Sequence, residues 1–576
     1  MSEIKPSFSK ALFSGVIMED LVFPYPKMDT EEAENIKMII ESFNKFANDK
    51  INAEQIDLDA KIPDEVIDGL KELGFFGLNT PEKYDGFGLG SSGFTKMLSA
   101  ISEVDGSTSL TVGAHQSIGI KALNLFGSEE QKKKFLPKLV TGELIGAFCL
   151  TEPGAGSDAS GIKTKAVRDD ANGYYILNGS KLWITNGGIA DFFTVFAKED
   201  VEINGETKEK ISAFIVTTDL GGVSKGKEES KLGIKGSSTT EIFFEDVKVP
   251  IENLIGERGK GFKIAMEVLN SGRLGLAGGS LGGLKYILKH TMDQITQRKQ
   301  FRKTIAEFEA MKEKVAQITI ELYAAESMTY LTTGLVDRGD LDYSLESAMC
   351  KVFATDITWK GVNECLQMAG GLGYMKEYPY ERIVRDCRIN QIFEGTNEIL
   401  RLFIALSGVQ ERGEYLKKIG KALKDPIKGF GLLTDYATDW IKGKVLTDRI
   451  REVHPSLTNS KTQFENYAKN LRFASERVLI EHGKNIMYRE MITTRLADAA
   501  IDLYAMIATI SRVNTRIDEL GAEKCDKEIK ICNTFCEQAW RRARRNLLMV
   551  DKNNDEEMKE IAELITEEKE FPFMTE

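Results

Sequence analysis

Between residues 144 and 255 the hydrophobic pattern changes period, while the chain on either side keeps a helical one. Before that stretch, residues 34–46, 67–73, 94–101 and 129–139 set apolar side chains three or four apart, the spacing that gives a helix one apolar stripe. Within it, residues 174–177, 192–197, 211–216 and 242–244 are short aromatic and β-branched runs punctuated by Gly, Asn and Asp, which reads as strands. Asn172-Gly173 and Asn178-Gly179 read as turns on either side of the first strand. Pro250 ends the region, because proline has no N–H to give an interior ladder.

Helical periodicity returns at Gly261 and lasts to about Ser407, with a long helix expected from Ile305 past Thr329. Gly272, Gly275, Gly278, Gly279, Gly282 and Gly283 weaken a helix and suit a place where two backbones, or a backbone and a ligand, approach closely. Residues 408–457 are irregular, and a last helical block covers 460–566. At 576 residues one core cannot organise the chain. Four divisions are expected: an N-terminal helical domain (1–143), a central β domain (144–255), a helical bundle (256–410) and a C-terminal linker with a helical domain (411–576).

Asp and Glu outnumber Lys and Arg by 88 to 76, a net charge of -12, which argues against a nucleic-acid partner. Arg541, Arg542, Arg544 and Arg545 read as a solvated or interface-facing helix. Seven scattered cysteines suit a reducing compartment. The N-terminus carries early acidic residues and no basic-then-apolar leader, and no run of about eighteen apolar residues occurs. A cytoplasmic protein is therefore expected, with one qualification at residues 417–445. There five lysines mix with Phe430, Leu432, Leu433, Tyr436, Trp440 and Ile441. That mix suits either weak contact with the inner face of a membrane or a packed linker.

The four histidines form no metal-binding spacing, and neither a Walker loop nor a Gly-x-Ser-x-Gly elbow occurs. Three glycine-rich segments remain. Residues 151–158, headed by Thr151 and Glu152, read either as an ordinary capped turn or as amides and hydroxyls wrapped round an electron-rich ligand. Residues 183–188 offer Trp183 and Thr185 to a flat ring, or else place a core Trp at a strand end. Residues 367–374 lack the preceding strand of a dinucleotide fold. Glu394 follows Ile392-Phe393 and precedes Gly395. An isolated Glu is ordinarily a surface or capping residue, but burial would raise its proton affinity and make it a base.

At these segments the sequence resembles the acyl-CoA dehydrogenase family, and within it the long subclass with an extra C-terminal unit. Residues 149–158 are similar to the family's first signature. Residues 367–386, with Gly370-Gly371-Leu372-Gly373, Glu377, Arg382 and Asp386, are similar to the second. The likeness runs from Phe23-Pro24-Tyr25-Pro26 to residues 501–506. It implies an α+β multidomain fold: N-terminal helical domain, central β-barrel-like domain, four-helix bundle domain and an extra C-terminal helical domain.

The resemblance also implies the chemistry. FAD is the cofactor, with Phe148, Leu150, Thr151 and Ser157 lining it, Ser157 also meeting the thioester, and Trp183 and Thr185 flanking the flavin. Arg298, Gln367, Gly370 and Gly371 would reach the FAD of a neighbouring subunit in a homodimer, while Thr396 and Glu398 help close the site. Glu394 would take the α proton, with Arg273 and Gly395 beside it, giving a trans-2-enoyl-CoA. No Glu occurs at 269–273, where the isovaleryl type draws its base, and this favours Glu394. Gly113 and Ala114 are small at the implied pocket floor and point to long-chain acyl-CoA, with electron-transferring flavoprotein as acceptor. Two rivals share the fold: an acyl-CoA oxidase using oxygen and a non-enzymatic assembly factor.

Overall fold

A computed structural model describes residues 6–339, 341–424, 449–450 and 453–573. Two compact units divide the chain, one comprising Pro26–Ile399 and the other Pro6–Tyr25 with Leu400–Glu576.

The first unit begins with helices Thr30–Lys50, Asp64–Glu72, Ser91–Ser102 and Glu129–Val140, on the segments whose periodicity predicts them. Its sheet contains β1 (Gly146–Cys149), β2 (Lys165–Asp169), β3 (Tyr174–Thr185), β4 (Phe192–Ile203), β5 (Glu206–Thr217), β6 (Val223–Lys225), β7 (Thr239–Pro250) and β8 (Leu254–Ile255). The strand order is β6-β7-β3-β2-β4-β5-β8, with β1 pairing parallel to β4. Phe193, Val195, Phe214, Val216, Ile242 and Phe244 from the sheet share one core with Phe43, Phe75 and Phe76 from the helices.

Two expectations need correction. The sheet is open and not barrel-like: among the described residues its end strands β6 and β8 do not pair. They are three and two residues long, too short to supply the staggered ladder that closure requires. Asn178-Gly179 is not a turn either, but a register shift inside β3. A Cβ at Gly179 would lie 2.5 Å from Thr164 Oγ1, so the glycine serves a close approach between strands.

After the sheet comes one continuous helix, Gly261–Gln297, followed by Glu309–Arg338 and Ser344–Ala369, which pack on it. The glycine-rich run is what lets the Ser91–Ser102 helix close on the first of these. A Cβ at Gly282 would stand 2.1 Å from the Ser99 carbonyl oxygen, one at Gly278 would meet Thr95, and one at Gly275 would meet Leu98.

In the second unit, helices Thr458–His482, Glu490–Leu520 and Asp526–Asp551 pack together. The N-terminal segment completes their core. The Phe8 ring lies 5.9 Å from Tyr504, Ser511 Oγ donates to the Val22 carbonyl, and Tyr25 N donates to Thr515 Oγ1 at 2.9 Å. Nothing in the periodicity of residues 6–25 announces a partner so distant in sequence. Most of the stretch 417–445 lies outside the described residues. Among the described residues no helix is long and apolar enough to cross a membrane.

Two glycines on one helix give a paired test of the close packing. A Cβ at Gly283 meets nothing within 4 Å, whereas one at Gly282 meets backbone. Gly283→Ala should stabilise the protein by about 0.5–1 kcal/mol through helix propensity. Gly282→Ala should destabilise it by about 1–3 kcal/mol through overpacking. Denaturant unfolding followed by circular dichroism reads both, and equal effects would contradict the backbone-to-backbone contact.

Candidate active site

Glu394 sits at a corner between the short helical turn Arg388–Gln391 and the helix beginning at Asn397. Its φ is 57° and that of Gly395 is 94°. Left-handed backbone costs a non-glycine residue about 1–3 kcal/mol, so surrounding contacts must hold it. They come from two helices. Arg273 Nε donates to the Glu394 carbonyl at 3.2 Å, and Arg273 Nη1 donates to Asn270 Oδ1 at 2.9 Å. Lys351 Nζ donates to the Gly395 carbonyl at 2.9 Å and to Asn397 Oδ1 at 2.7 Å. Asn397 Nδ2 in turn donates to Thr355 Oγ1 and Asp356 Oδ1.

The carboxylate is treated differently from the main chain around it. Although Glu394 as a residue keeps some accessible surface, its Oε2 is enclosed and has no hydrogen-bond partner. Gly272 makes the room: a Cβ there would lie 2.7 Å from Oε1. Burial pushes the Glu394 carboxyl up to about 7, with the charges of Arg273 and Lys351 acting in the opposite sense. A desolvated, unpaired carboxylate that titrates near neutrality is suited to accept a proton.

A second group of residues gathers at the sheet. Leu182 N donates to the Thr151 carbonyl at 2.9 Å, which sets the 151–158 loop beside Trp183. A register shift between Lys181 and Ile184 frees Trp183, which has a φ of 56° and is 62% exposed. It is therefore not a core Trp. Thr185 pairs with Thr239, Phe148 on β1 packs 4.9 Å from Phe196, Leu150 is buried, and Ser157 is exposed. Cβ atoms at Gly154 and Gly156 would meet nothing within 4 Å. The result is an open face of hydroxyls, free main chain and one large aromatic ring, a fit for a flat polar ligand.

The loop at this face is anchored by a buried ion pair absent from the sequence expectations. Lys181 Nζ donates to Glu152 Oε1 at 2.7 Å and to the Leu150 carbonyl at 3.1 Å, and both side chains are at most 6% exposed. Glu152 also accepts from Thr164 N at 3.0 Å and from Lys163 N.

The remaining expected residues lie in two other places. Thr396 and Glu398 stay with Glu394, where Thr396 Oγ1 accepts from Ile399 N. Arg298, Gln367, Gly370 and Gly371 are exposed together at the far end of the Gly261–Gln297 helix, linked by a Gln294 Nε2 bond to the Ala369 carbonyl. Arg273 and Arg298 are roughly 37 Å apart along that helix. Gly113 and Ala114 are buried, and a Cβ at Gly113 would make ordinary contact with Leu98. A cavity of about 160 Å3 opens on the same helix beside Ser271 and Leu274, roughly 130° round from Gly272. Lys121 and Asp337 line it and Glu394 does not, so it is separate from the carboxylate.

Sequence reasoning missed Lys351, Asn397 and Lys181. The signal available for Lys351 was a single cation within the largely apolar run at 345–354.

Comparison with known proteins identifies the family. Matching family descriptions are Acyl-CoA dehydrogenase, N-terminal domain, over residues 33–143; middle domain, over 147–247; C-terminal domain, over 259–408; and ACAD9/ACADV, C-terminal domain, over 455–571. The chain is 42% identical over 553 residues to the very long-chain specific acyl-CoA dehydrogenase, mitochondrial, of Homo sapiens, covering 94% of this chain and 84% of that one. In structure it is similar to an acyl-CoA dehydrogenase complexed with FAD from Bacillus anthracis, with a TM-score of 0.79, 33% identity and coverage of 99% and 96%. A chain described under the electron transferring flavoprotein of Acidaminococcus fermentans matches with a TM-score of 0.61 and 38% identity, covering 66% of this chain and 98% of that one. The very long-chain relatives from macaque, human, cattle, rat and mouse are all named mitochondrial, which overturns the expectation of a cytoplasmic protein. An acidic N-terminus and reduced cysteines describe the chain's chemistry and do not specify its compartment.

The buried pair predicts a stability effect. Lys181→Met strands the Glu152 charge among buried groups and should cost about 3–5 kcal/mol in denaturant unfolding. A loss below about 1 kcal/mol, the range of a surface pair, would contradict the anchoring role.

Proposed function

The chain belongs to the acyl-CoA dehydrogenase family and is an FAD-dependent acyl-CoA dehydrogenase of β-oxidation, and within that activity we propose that Glu394 is the catalytic base. The observation that carries this is the carboxylate whose Oε2 is enclosed without a partner, raised to about 7 and held at a left-handed corner. Glu394 takes the α proton of the thioester, and Gly395 leaves the substrate room beside it. Arg273 holds the Glu394 carbonyl, so the carboxylate is aimed without being neutralised.

Phe148, Leu150, Thr151, Ser157, Trp183 and Thr185 hold FAD, Ser157 also meets the thioester, and Thr396 and Glu398 close the site. When bound, FAD supplies the acceptor for the β hydrogen as hydride. The open sheet face with its exposed Trp183 supports this reading. The exposed Arg298, Gln367, Gly370 and Gly371 serve the cofactor of a second copy. The separation of roughly 37 Å between Arg298 and Arg273 supports a homodimer in which each copy completes the other's site.

Three finer assignments complete the proposal. The substrate is long-chain acyl-CoA, because Gly113 and Ala114 add no bulk and each further methylene buried contributes about 0.8 kcal/mol. The electron acceptor is an electron-transferring flavoprotein. The divisions at 1–143, 144–255, 256–410 and 411–576 are its domains, the third a four-helix bundle, except that Pro6–Tyr25 and the residues from Leu400 on go with the C-terminal unit.

Glu394→Gln should keep FAD yet lose about a thousandfold in the anaerobic rate at which palmitoyl-CoA bleaches the flavin. Near-wild-type bleaching would overturn the assignment. The pH dependence has a definite sign. A base works deprotonated, so kcat/KM should be low in acid and rise to a plateau as pH passes through about 7. A rise complete by about pH 5, the ordinary carboxylate range, would contradict it.

A further inference from the structure

Lys351 is the most buried cation near the proposed base, with a side chain 0% exposed on the Ser344–Ala369 helix. Ammonium groups are costly to bury, and this one spends two hydrogen bonds on a single feature. Its acceptors are the Gly395 carbonyl and Asn397 Oδ1, one and three residues beyond Glu394. The same helix grips that corner again through Thr355 and Asp356, both bonded by Asn397 Nδ2, and Gln391 Nε2 reaches Asp356 Oδ1 at 2.7 Å.

The placement of the two cations is selective. Arg273 takes the carbonyl of Glu394, Lys351 takes the carbonyl of Gly395, and Glu394 Oε2 accepts nothing. A direct ion pair would hold the carboxylate in its charged form and spoil it as a base. Main-chain bonds give orientation without that cost. Resting on the reading of Glu394 as base, we propose that Lys351 is its positioning residue, clamping the Gly395 carbonyl and the Asn397 side chain so that the left-handed corner presents the carboxylate unpaired.

The charged groups facing Glu394 are Arg273 from one helix and Lys351 from another. Those facing Lys351 are Glu394, Arg273, Asp356 and Glu398. Burial brings Lys351 down to about 7, so it and Glu394 titrate in one range and an observed limb belongs to the pair. Removing the Lys351 charge takes away one of two cations that favour ionised Glu394. The acid limb should then move to higher pH.

The test is anaerobic flavin bleaching by palmitoyl-CoA, followed by stopped flow from about pH 5.5 to about pH 9, on FAD-loaded wild type, Lys351→Met, Lys351→Arg and Glu394→Gln. Lys351→Met should bind palmitoyl-CoA within about threefold of wild type yet bleach at least about tenfold more slowly. Its acid limb should lie about one pH unit higher. Lys351→Arg stays charged across the whole range but loses the donor geometry, so its limb should lie no higher than that of wild type and its rate recover in part. A Lys351→Met enzyme with the wild-type rate and limb overturns the proposal. Where Lys351→Met fails to retain FAD, Lys351→Arg decides. Bleaching about threefold or more below wild type with a limb no higher than that of wild type supports the role, and a wild-type rate overturns it. Glu394→Gln separates the two readings. If it bleaches normally the base assignment fails; if it is inactive while Lys351→Met is unchanged, only the role of Lys351 fails.

Discussion

The site depends on the desolvation of one carboxylate that nothing neutralises. Glu394 Oε2 is enclosed and makes no hydrogen bond. Two cations lie close enough to influence it, yet both bond to main-chain oxygens at the same corner. Burial therefore outweighs their charge and keeps the group near neutrality. A one-residue change in connectivity, pairing either cation with the carboxylate, would reverse that balance. The surrounding helices exist in a form that prevents it.

That form rests on glycine used for proximity. Gly272 leaves space for the Glu394 carboxylate, and Gly275, Gly278 and Gly282 let the Ser91–Ser102 helix close on the same element. The long helix forgoes local propensity along this stripe and regains stability through packing. At the sheet face a different device serves a similar end. The buried Glu152–Lys181 pair fixes the loop beside Trp183, while the register shift in β3 turns that ring outward.

Much of this was legible in the sequence, for particular reasons. The change of hydrophobic period places the sheet, because side-chain alternation is a local property. The segments at Thr151, Trp183, Gly370 and Glu394 stand out because several special residues fall close together. Lys351 and Asn397 did not stand out, because their meaning arises only when a helix 43 residues upstream packs on the Glu394 corner. The same holds for the N-terminal segment, whose Phe8 finds Tyr504. The sheet's openness was hidden as well, since closure depends on strand length and stagger that periodicity does not report. A motif residue does not announce its role, as Asp386 shows. It belongs to a recognisable motif, yet it bonds the Ile234 amide while its neighbour Arg385 grips Asp57, so that part of the motif is structural.

The central claim is that Glu394 is ionisable near neutrality because it is buried and unpaired. Infrared difference spectroscopy between wild type and Glu394→Gln, recorded across pH, observes that carboxyl directly. The account predicts a protonated-carboxyl band, present in wild type alone, that disappears with a midpoint near 7. A band that disappears near 4.5, the value of an ordinary glutamate, would contradict it.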